Sequence, residues 1–319
     1  MKKTLVALAV LAASGASFAQ VSLTGEFAYG YLATTSGTGA TASGGGLDTS
    51  LLTFGVKEDL GGGTSVAVTM KTDGTSGRSG TIANDDQMID VKTSFASCKM
   101  ASWKPGNWLQ GNTGYAGWYG LDGRVLGARG IYDSIGVSVP VGPVTLSATA
   151  YEPNGLLGEG SGNAGTVLQQ NTTLGLGYAA GALSLSAGYV TYANQNATDS
   201  TSKSITRAAA KYDFGVAAIG AGVAVTSLAG DGTNTQTLVS LSAPIGALSV
   251  NAGWASNKTD VSATSTLAAS NGTKTGYQLG LQYNLSKRTY GILNYGNWLN
   301  AVGDAQNSNL TALTLVHDF

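Results

Sequence analysis

The feature that most constrains this chain is a period-two alternation of apolar with small or polar residues, repeated segment after segment. Val21, Leu23, Phe27, Tyr29 and Tyr31 fall on one face of an extended strand, and Ser22, Thr24, Glu26, Ala28 and Gly30 on the other. Leu52, Phe54 and Val56 alternate with Thr53, Gly55 and Lys57, and Val66, Val68 and Met70 with Ala67, Thr69 and Lys71. The pattern returns at Ile135 to Val139, Leu174 to Tyr178, Leu183 to Tyr189 and Tyr277 to Tyr283. Successive side chains of a strand point to opposite faces, so each segment carries one apolar wall and one polar wall. The apolar wall needs a covering, and composition indicates which. Charged residues are 11% of the chain, against about 25% in soluble proteins. Glycine supplies 47 of 319 residues, roughly twice its usual share. Beyond residue 19 no apolar run is long enough for a membrane-spanning helix. Low charge without apolar runs is what a sheet requires when one face meets lipid and the other is small and neutral-polar. In hydrocarbon every backbone N–H and C=O must be paired, so such a sheet closes on itself.

The connections alternate as well. Short turns are expected at Asp59 to Gly63, Ala96, Pro140 to Pro143, Ala179 to Gly181, Asp213 to Gly215, Pro244 to Gly246 and Asn284 to Arg288. Between them lie Gly/Ser/Thr/Asn-rich stretches at Thr34 to Thr49, Gly74 to Asp85, Lys104 to Gly130, Pro153 to Leu168, Ala193 to Lys203, Leu228 to Asn234, Asn257 to Gly272 and Ala301 to Ser308. Short turns on one side and long loops on the other join about 16 strands of about 10 residues, the length of a tilted membrane strand. The expected fold is therefore an all-β, antiparallel, up-and-down transmembrane barrel. Tyr29, Tyr31, Tyr178, Tyr189, Tyr192, Trp254, Tyr283, Tyr295 and Trp298 lie near strand ends. That placement suits aromatic girdles at the headgroup level, and equally suits ordinary strand aromatics.

Residues 1–19 read as a secretory signal peptide: Lys2 and Lys3, an apolar run from Leu5 to Ala13, then Ser17-Phe18-Ala19 before a mature start at Gln20. Losing Lys2 and Lys3 takes 17 basic residues to 15 against 18 acidic ones. A mildly acidic chain is no nucleic-acid binder of the basic kind. Cys98 is the one cysteine, with no internal disulfide partner, and its parity points it at lipid. One His and one Cys leave no zinc centre. His317, near the closing end of the last strand, is a poor general base, so neither a cofactor nor catalysis is expected. Asp85 and Asp86 form an acidic loop pair, either solvated or a Ca²⁺ contact. Gly175 to Ala180 matches a dinucleotide fingerprint only on paper, because it lies within a strand instead of opening a helix.

Leu313, Leu315, His317 and the terminal Phe319 share one face of the last strand. An alternating strand that ends in an aromatic residue resembles the assembly signal of bacterial outer-membrane barrels. The segments Gly55-Val56-Lys57-Glu58-Asp59-Leu60-Gly61-Gly62-Gly63, Tyr283-Asn284-Leu285-Ser286-Lys287-Arg288-Thr289 and His317-Asp318-Phe319 extend the likeness. With them, the chain resembles the general porins of the β-proteobacterial type. The resemblance implies a trimeric barrel in the Gram-negative outer membrane, surrounded by its lipids. It implies delivery by the barrel assembly machinery through the last strand, passive diffusion of small hydrophilic solutes and ions, and a third loop folded into the lumen. One departure stands out: Met100-Ala101-Ser102 replaces the family's Gly-Arg-Gln before that loop.

Strand parity places Glu26, Lys57, Lys71, Asp90, Lys92, Lys99, Arg207 and Lys211 on the lumen side. A basic residue facing mid-bilayer lipid costs roughly 2–4 kcal/mol. Six basic against two acidic wall residues predict a cationic lumen. In the third loop, Lys104, Arg124 and Arg129 add charge at a narrowing beside Trp108 and Asp122, which selects by sign; solvated outside the barrel, they tune nothing. The loop's aromatics, Trp108, Tyr115, Trp118 and Tyr119, pack it against the wall or form a stacking track for a solute. The expectation is a weakly anion-preferring diffusion pore. A substrate-specific channel and a plugged structural or adhesive barrel are the alternatives.

Overall fold

A computed structural model of the chain describes residues 20–73, 83–115, 117, 121–152, 170–193, 201–304 and 306–319. The signal segment, Trp118, Tyr119 and most of the expected second, fourth and fifth long loops lie outside the described residues. The strands are β1 (Gln20–Thr35), β2 (Thr41–Gly61), β3 (Thr64–Asp73), β4 (Ala83–Lys92), β5 (Ser97–Trp103) and β6 (Tyr132–Val141). They continue with β7 (Val144–Glu152), β8 (Asn171–Ala180), β9 (Leu183–Tyr192), β10 (Ser202–Asp213) and β11 (Ala218–Leu228). The series ends with β12 (Thr233–Ile245), β13 (Leu248–Asp260), β14 (Gly272–Asn284), β15 (Thr289–Trp298) and β16 (Ser308–Asp318). Every neighbour pairing is antiparallel, and β1 closes on β16 to make a barrel. One short helix, α1 (Trp108–Thr113), lies in the loop between β5 and β6.

The apolar parity faces outward. Leu279 is 52% and Leu313 61% exposed, in company with Phe54, Ile135, Leu176 and Leu241. A soluble protein does not show so continuous an apolar girdle, whereas a bilayer covers it. No described helix is long and apolar enough to cross a membrane; the strands do the crossing. At the short end, Gly142, Gly181 and Gly246 begin two-residue turns with positive φ, the conformation that matches a hairpin turn to strand twist. Asp59 and Asp213 each accept the N–H of a glycine two residues on, a local side-chain turn.

Two expected loops are shorter than their composition implies. Gly44, Gly45 and Gly46 pair with Leu32, Tyr31 and Gly30 inside the β1–β2 ladder. Glycine carries no side chain to reveal the alternation, so a paired extension reads as a loop. The stretch at Leu228 to Asn234 contracts to a four-residue turn, Ala229 to Gly232, since the ladder runs to Leu228 and resumes at Thr233. The acidic pair is also placed differently: Asp86 belongs to β4 and is bound within the protein.

At the seam, Phe319 exchanges both backbone hydrogen bonds with Gly25, each 3.0 Å. Its ring lies over Gly25, where an added Cβ would sit 2.2 Å from Cζ. An aromatic laid across a strand glycine covers the backbone that the glycine leaves bare. Leu313, Leu315 and His317 sit outward on the same strand, and Thr289 Oγ1 lies 2.9 Å from His317 Nδ1.

Candidate functional site

Among the described residues, the largest buried apolar cluster is inside the barrel. Leu109, Tyr115, Leu121, Val125 and Leu126 of the β5–β6 loop, hereafter loop 3, pack on Leu238, Ala255, Trp298, Leu310 and Ala312 of the inner wall. Each buried Leu or Val contributes about 1.5–3 kcal/mol of transfer free energy, so the inner wall from β11 to β16 is a built seat for the loop. The loop enters at Lys104, whose N–H donates to Asp86 Oδ1 at 2.9 Å. Asn107 then caps α1 by accepting from the N–H groups of Leu109 and Gln110, and Gly114 ends it with a φ of 71°.

Polar groups fix the loop's position on that seat. Ser240 Oγ donates to the Thr113 carbonyl at 2.7 Å, and Asn257 Nδ2 to the Val125 carbonyl at 2.8 Å. Gly127 N–H donates to Gln236 Oε1 at 3.1 Å. The Tyr115 hydroxyl donates to Gln278 Oε1 at 2.6 Å, and Gln278 bonds on to Asn294. Two wall glycines admit the loop: a Cβ at Gly220 would lie 2.0 Å from the Thr113 carbonyl oxygen, and one at Gly253 2.2 Å from the Tyr115 ring. Burial pushes the Tyr115 phenol above its ordinary range and lowers Arg124 from its own, because desolvation disfavours the charged form.

The wall opposite carries the charge. Glu26, Lys57, Lys71, Asp90, Lys92 and Lys99 lie on the inward parity of β1 to β5, and Arg207 and Lys211 on that of β10. The described core of loop 3 is seated on β11 to β16, away from the charged positions of β2 to β5. Lys71 is paired with Asp86 at 3.0 Å, and Lys99 stands across the ladder from Asp90, with its ammonium 4.8 Å from the Trp103 ring. Among the described residues, no carboxylate is within ion-pair distance of Lys57, Lys92, Arg207 or Lys211. Ala101 holds the inward position in Met100-Ala101-Ser102 and is buried, so the departure from the family pattern leaves an uncharged wall there.

The count of six wall cations to two wall acids needs correction. Asp86 joins the wall through Lys71, and Asp318 stands across from Glu26 on the inward parity of the closing seam. The sequence reading puts Asp86 in a loop and leaves Asp318 out of the wall count. The loop charges also differ from a simple cationic ring. Arg129 is held by Asp122 at 2.6 Å, and the Arg124 guanidinium lies 4.5 Å from the Trp298 ring. Lys104 is exposed. Trp108 lies under the Arg207 guanidinium at 4.7 Å.

Two of the expected girdle aromatics face inward. Trp298 is 6% exposed beneath loop 3, and Tyr192 lines an inner cavity. Both lie an odd number of positions from outward neighbours, Tyr295 and Tyr189, so parity contained the signal. The residues that sequence reasoning missed, Gln236, Ser240, Asn257, Gln278 and Asn294, are neutral-polar and on the inward parity. That pattern is the ordinary one of inward strand positions, so nothing marks them as loop anchors.

Comparison with known proteins agrees with this architecture. A family model described as Gram-negative porin matches residues 4–300. No curated protein sequence matches the chain. Among solved structures, the anion-selective porin of Comamonas acidovorans is 18% identical with a TM-score of 0.70, covering 95% of this chain and 100% of its own. A loop-deleted outer membrane protein of Vibrio cholerae is 13% identical with a TM-score of 0.68, covering 94% and 99%. A mutant Rhodopseudomonas blastica porin is also 13% identical, with a TM-score of 0.64, covering 94% and 100%. The chain belongs to the family of Gram-negative porins, channel proteins of the outer membrane.

Proposed function

We propose that the mature chain, beginning at Gln20 after loss of residues 1–19, is a non-enzymatic, water-filled pore for passive diffusion of small hydrophilic solutes and ions, with a weak anion preference. The observation that carries this reading is the division of the inner wall. Loop 3 is seated on the apolar arc, while the opposite arc keeps Lys57 and Lys92, and β10 keeps Arg207 and Lys211, without carboxylate partners among the described residues. Fixed charge of one sign in a narrow, low-dielectric passage concentrates counter-ions. The preference is weak because Asp86, Asp90, Glu26 and Asp318 offset part of the basic charge, and Asp122 neutralises Arg129. Glu26, Lys57, Lys71, Asp90, Lys92, Lys99, Arg207 and Lys211 are the proposed pore lining. Lys104, Trp108, Asp122, Arg124 and Arg129 are the proposed edge of the constriction.

Assembly follows the same reading. Leu313, Leu315 and Phe319, with His317 between them, present an outward row on the last strand, suited to the barrel assembly machinery, and the functional unit is a homotrimer in outer-membrane lipid. Liposome swelling with neutral sugars of increasing size tests the pore. Uptake that falls smoothly with solute size is expected, whereas uptake of one sugar out of order with its size, or none at all, would contradict diffusion. Chemical cross-linking before denaturing electrophoresis tests the trimer, and a monomer at all cross-linker doses would contradict it.

A further inference from the structure

We infer that the vestibule holds a binding site for small planar carboxylates, formed by Arg207 and an aromatic wall between loop 3 and the strands β6 to β12. The inference rests on the pore reading above and deepens it. A cavity of about 510 Å³ lies between the two ends of loop 3 and this part of the wall. Its lining includes Trp103, Trp108, Tyr132, Tyr151, Tyr192 and Arg207. An enclosed cavity of about 150 Å³ is already enough for benzene, so a single aromatic ring with a carboxylate fits with room for water.

The chemistry of the lining selects the ligand. Tyr132 and Tyr151 meet edge to face, with ring centroids 5.5 Å apart, and Tyr192 stands two strands along, linked through Asn171, which is across from both Tyr151 and Tyr192. These rings supply flat apolar faces and edges for a planar body. Arg207 supplies the charge. One face of its guanidinium is taken by Trp108 at 4.7 Å, and its stem lies against Gly188, where a Cβ would sit 2.7 Å from Nε. Its Nε is closed off against the wall at Gly188 without an acceptor, no described carboxylate pairs with the guanidinium, and a ligand in the cavity meets its terminal N–H groups. A guanidinium brings five N–H donors in a fixed plane, four of them on its terminal nitrogens. A carboxylate is the acceptor whose geometry fits that fork. The stacked Trp108 ring orients the guanidinium plane, so the ligand meets a charge already oriented.

Single-channel recording of the reconstituted protein in KCl, with sodium benzoate added on the long-loop side, tests this directly. Benzoate is expected to interrupt the open current in a saturable way, while acetate (charge without ring) and benzamide (ring without charge) at equal concentration do not. Calorimetric titration of detergent-solubilised protein with benzoate gives a second readout that needs no current. Arg207→Gln is expected to weaken benzoate binding by about tenfold or more. Tyr132→Leu leaves the Arg207–Trp108 stack in place and is expected to weaken benzoate while sparing any acetate effect. Interruption by acetate as strong as by benzoate would overturn the inference, because any wall lysine explains that. An open channel with neither benzoate interruption nor benzoate heat would overturn it as well. Benzoate binding by a protein that never conducts would sink the pore reading and leave the site standing.

Discussion

Replacing Gly220 by alanine should unseat loop 3 and leave the barrel intact. Gly220 lies on the inner face of β11, and its added Cβ would be 2.0 Å from the Thr113 carbonyl oxygen. Ordinary contact needs about 3.5 Å, so α1 must move roughly 1.5 Å off the wall and into the lumen. The obstacle is backbone on both sides, and no rotamer change relieves it. Overpacking of this kind costs about 1–3 kcal/mol. The Ser240–Thr113 hydrogen bond, 2.7 Å long, is lost with the move, for about 0.5–1.5 kcal/mol more. Even the lower sum changes the ratio of seated to unseated loop by about tenfold. The assay is single-channel conductance in planar bilayers, with Gly291→Ala as the control because a Cβ there meets nothing within 4 Å. Gly220→Ala should give smaller unit steps and a noisier open state, with heat-modifiable migration on gels unchanged. Currents identical to the wild type and to Gly291→Ala would refute the seating of loop 3 on β11.

Further outcomes follow from other contacts. Gly25→Val should disturb the closing seam, since Phe319 lies over that glycine; the urea midpoint should fall, and an unchanged midpoint would refute the contact. Asp86→Asn removes the partner of Lys71 and should move the reversal potential further toward chloride; a shift toward potassium would contradict the charge count. Leu279→Arg places a cation on the outward face of β14 and should destabilise the barrel by up to about 2–4 kcal/mol, read from equilibrium unfolding in lipid vesicles. Tyr115 carries a phenol pushed above its ordinary value of 10.0 by burial. A raised folded-state value means its support for the seated loop is whole below pH 10 and declines only above that. Conductance at pH 9 should therefore equal that at pH 7, and a loss of seating between those values would contradict the burial of Tyr115.

The barrel was legible in the sequence because side-chain parity repeats in every strand and because lipid on one face leaves no other covering. Parity also placed Glu26, Lys57, Lys71, Asp90, Lys92, Lys99, Arg207 and Lys211 on the inward side. It failed where residues carry no contrast. Gly44 to Gly46 gave no alternation and read as loop although they are paired. Where loop 3 lands depends on tertiary fit: Gly220 and Gly253 make room, and Gln278 and Ser240 hold it. None of the four differs in type from ordinary lumen residues. Tyr192 and Trp298 show the opposite case, since counting from Tyr189 and Tyr295 turns both inward. Asp86 reads as a loop residue from its neighbours and Asp318 is left uncounted at the chain end, whereas register brings both onto the wall with Lys71 and Glu26.

The central claim is an open pore whose wall, β10 counted with the β1–β5 arc and the closing seam, sets Lys57, Lys71, Lys92, Lys99, Arg207 and Lys211 against fewer acids, Glu26, Asp86, Asp90 and Asp318. Single-channel currents of the purified protein under a KCl gradient test it most directly. The account predicts large stepwise openings with a reversal potential of the sign that reports modest chloride preference. A reversal potential of the opposite sign would contradict the charge assignment, and the absence of steps would contradict the open pore itself.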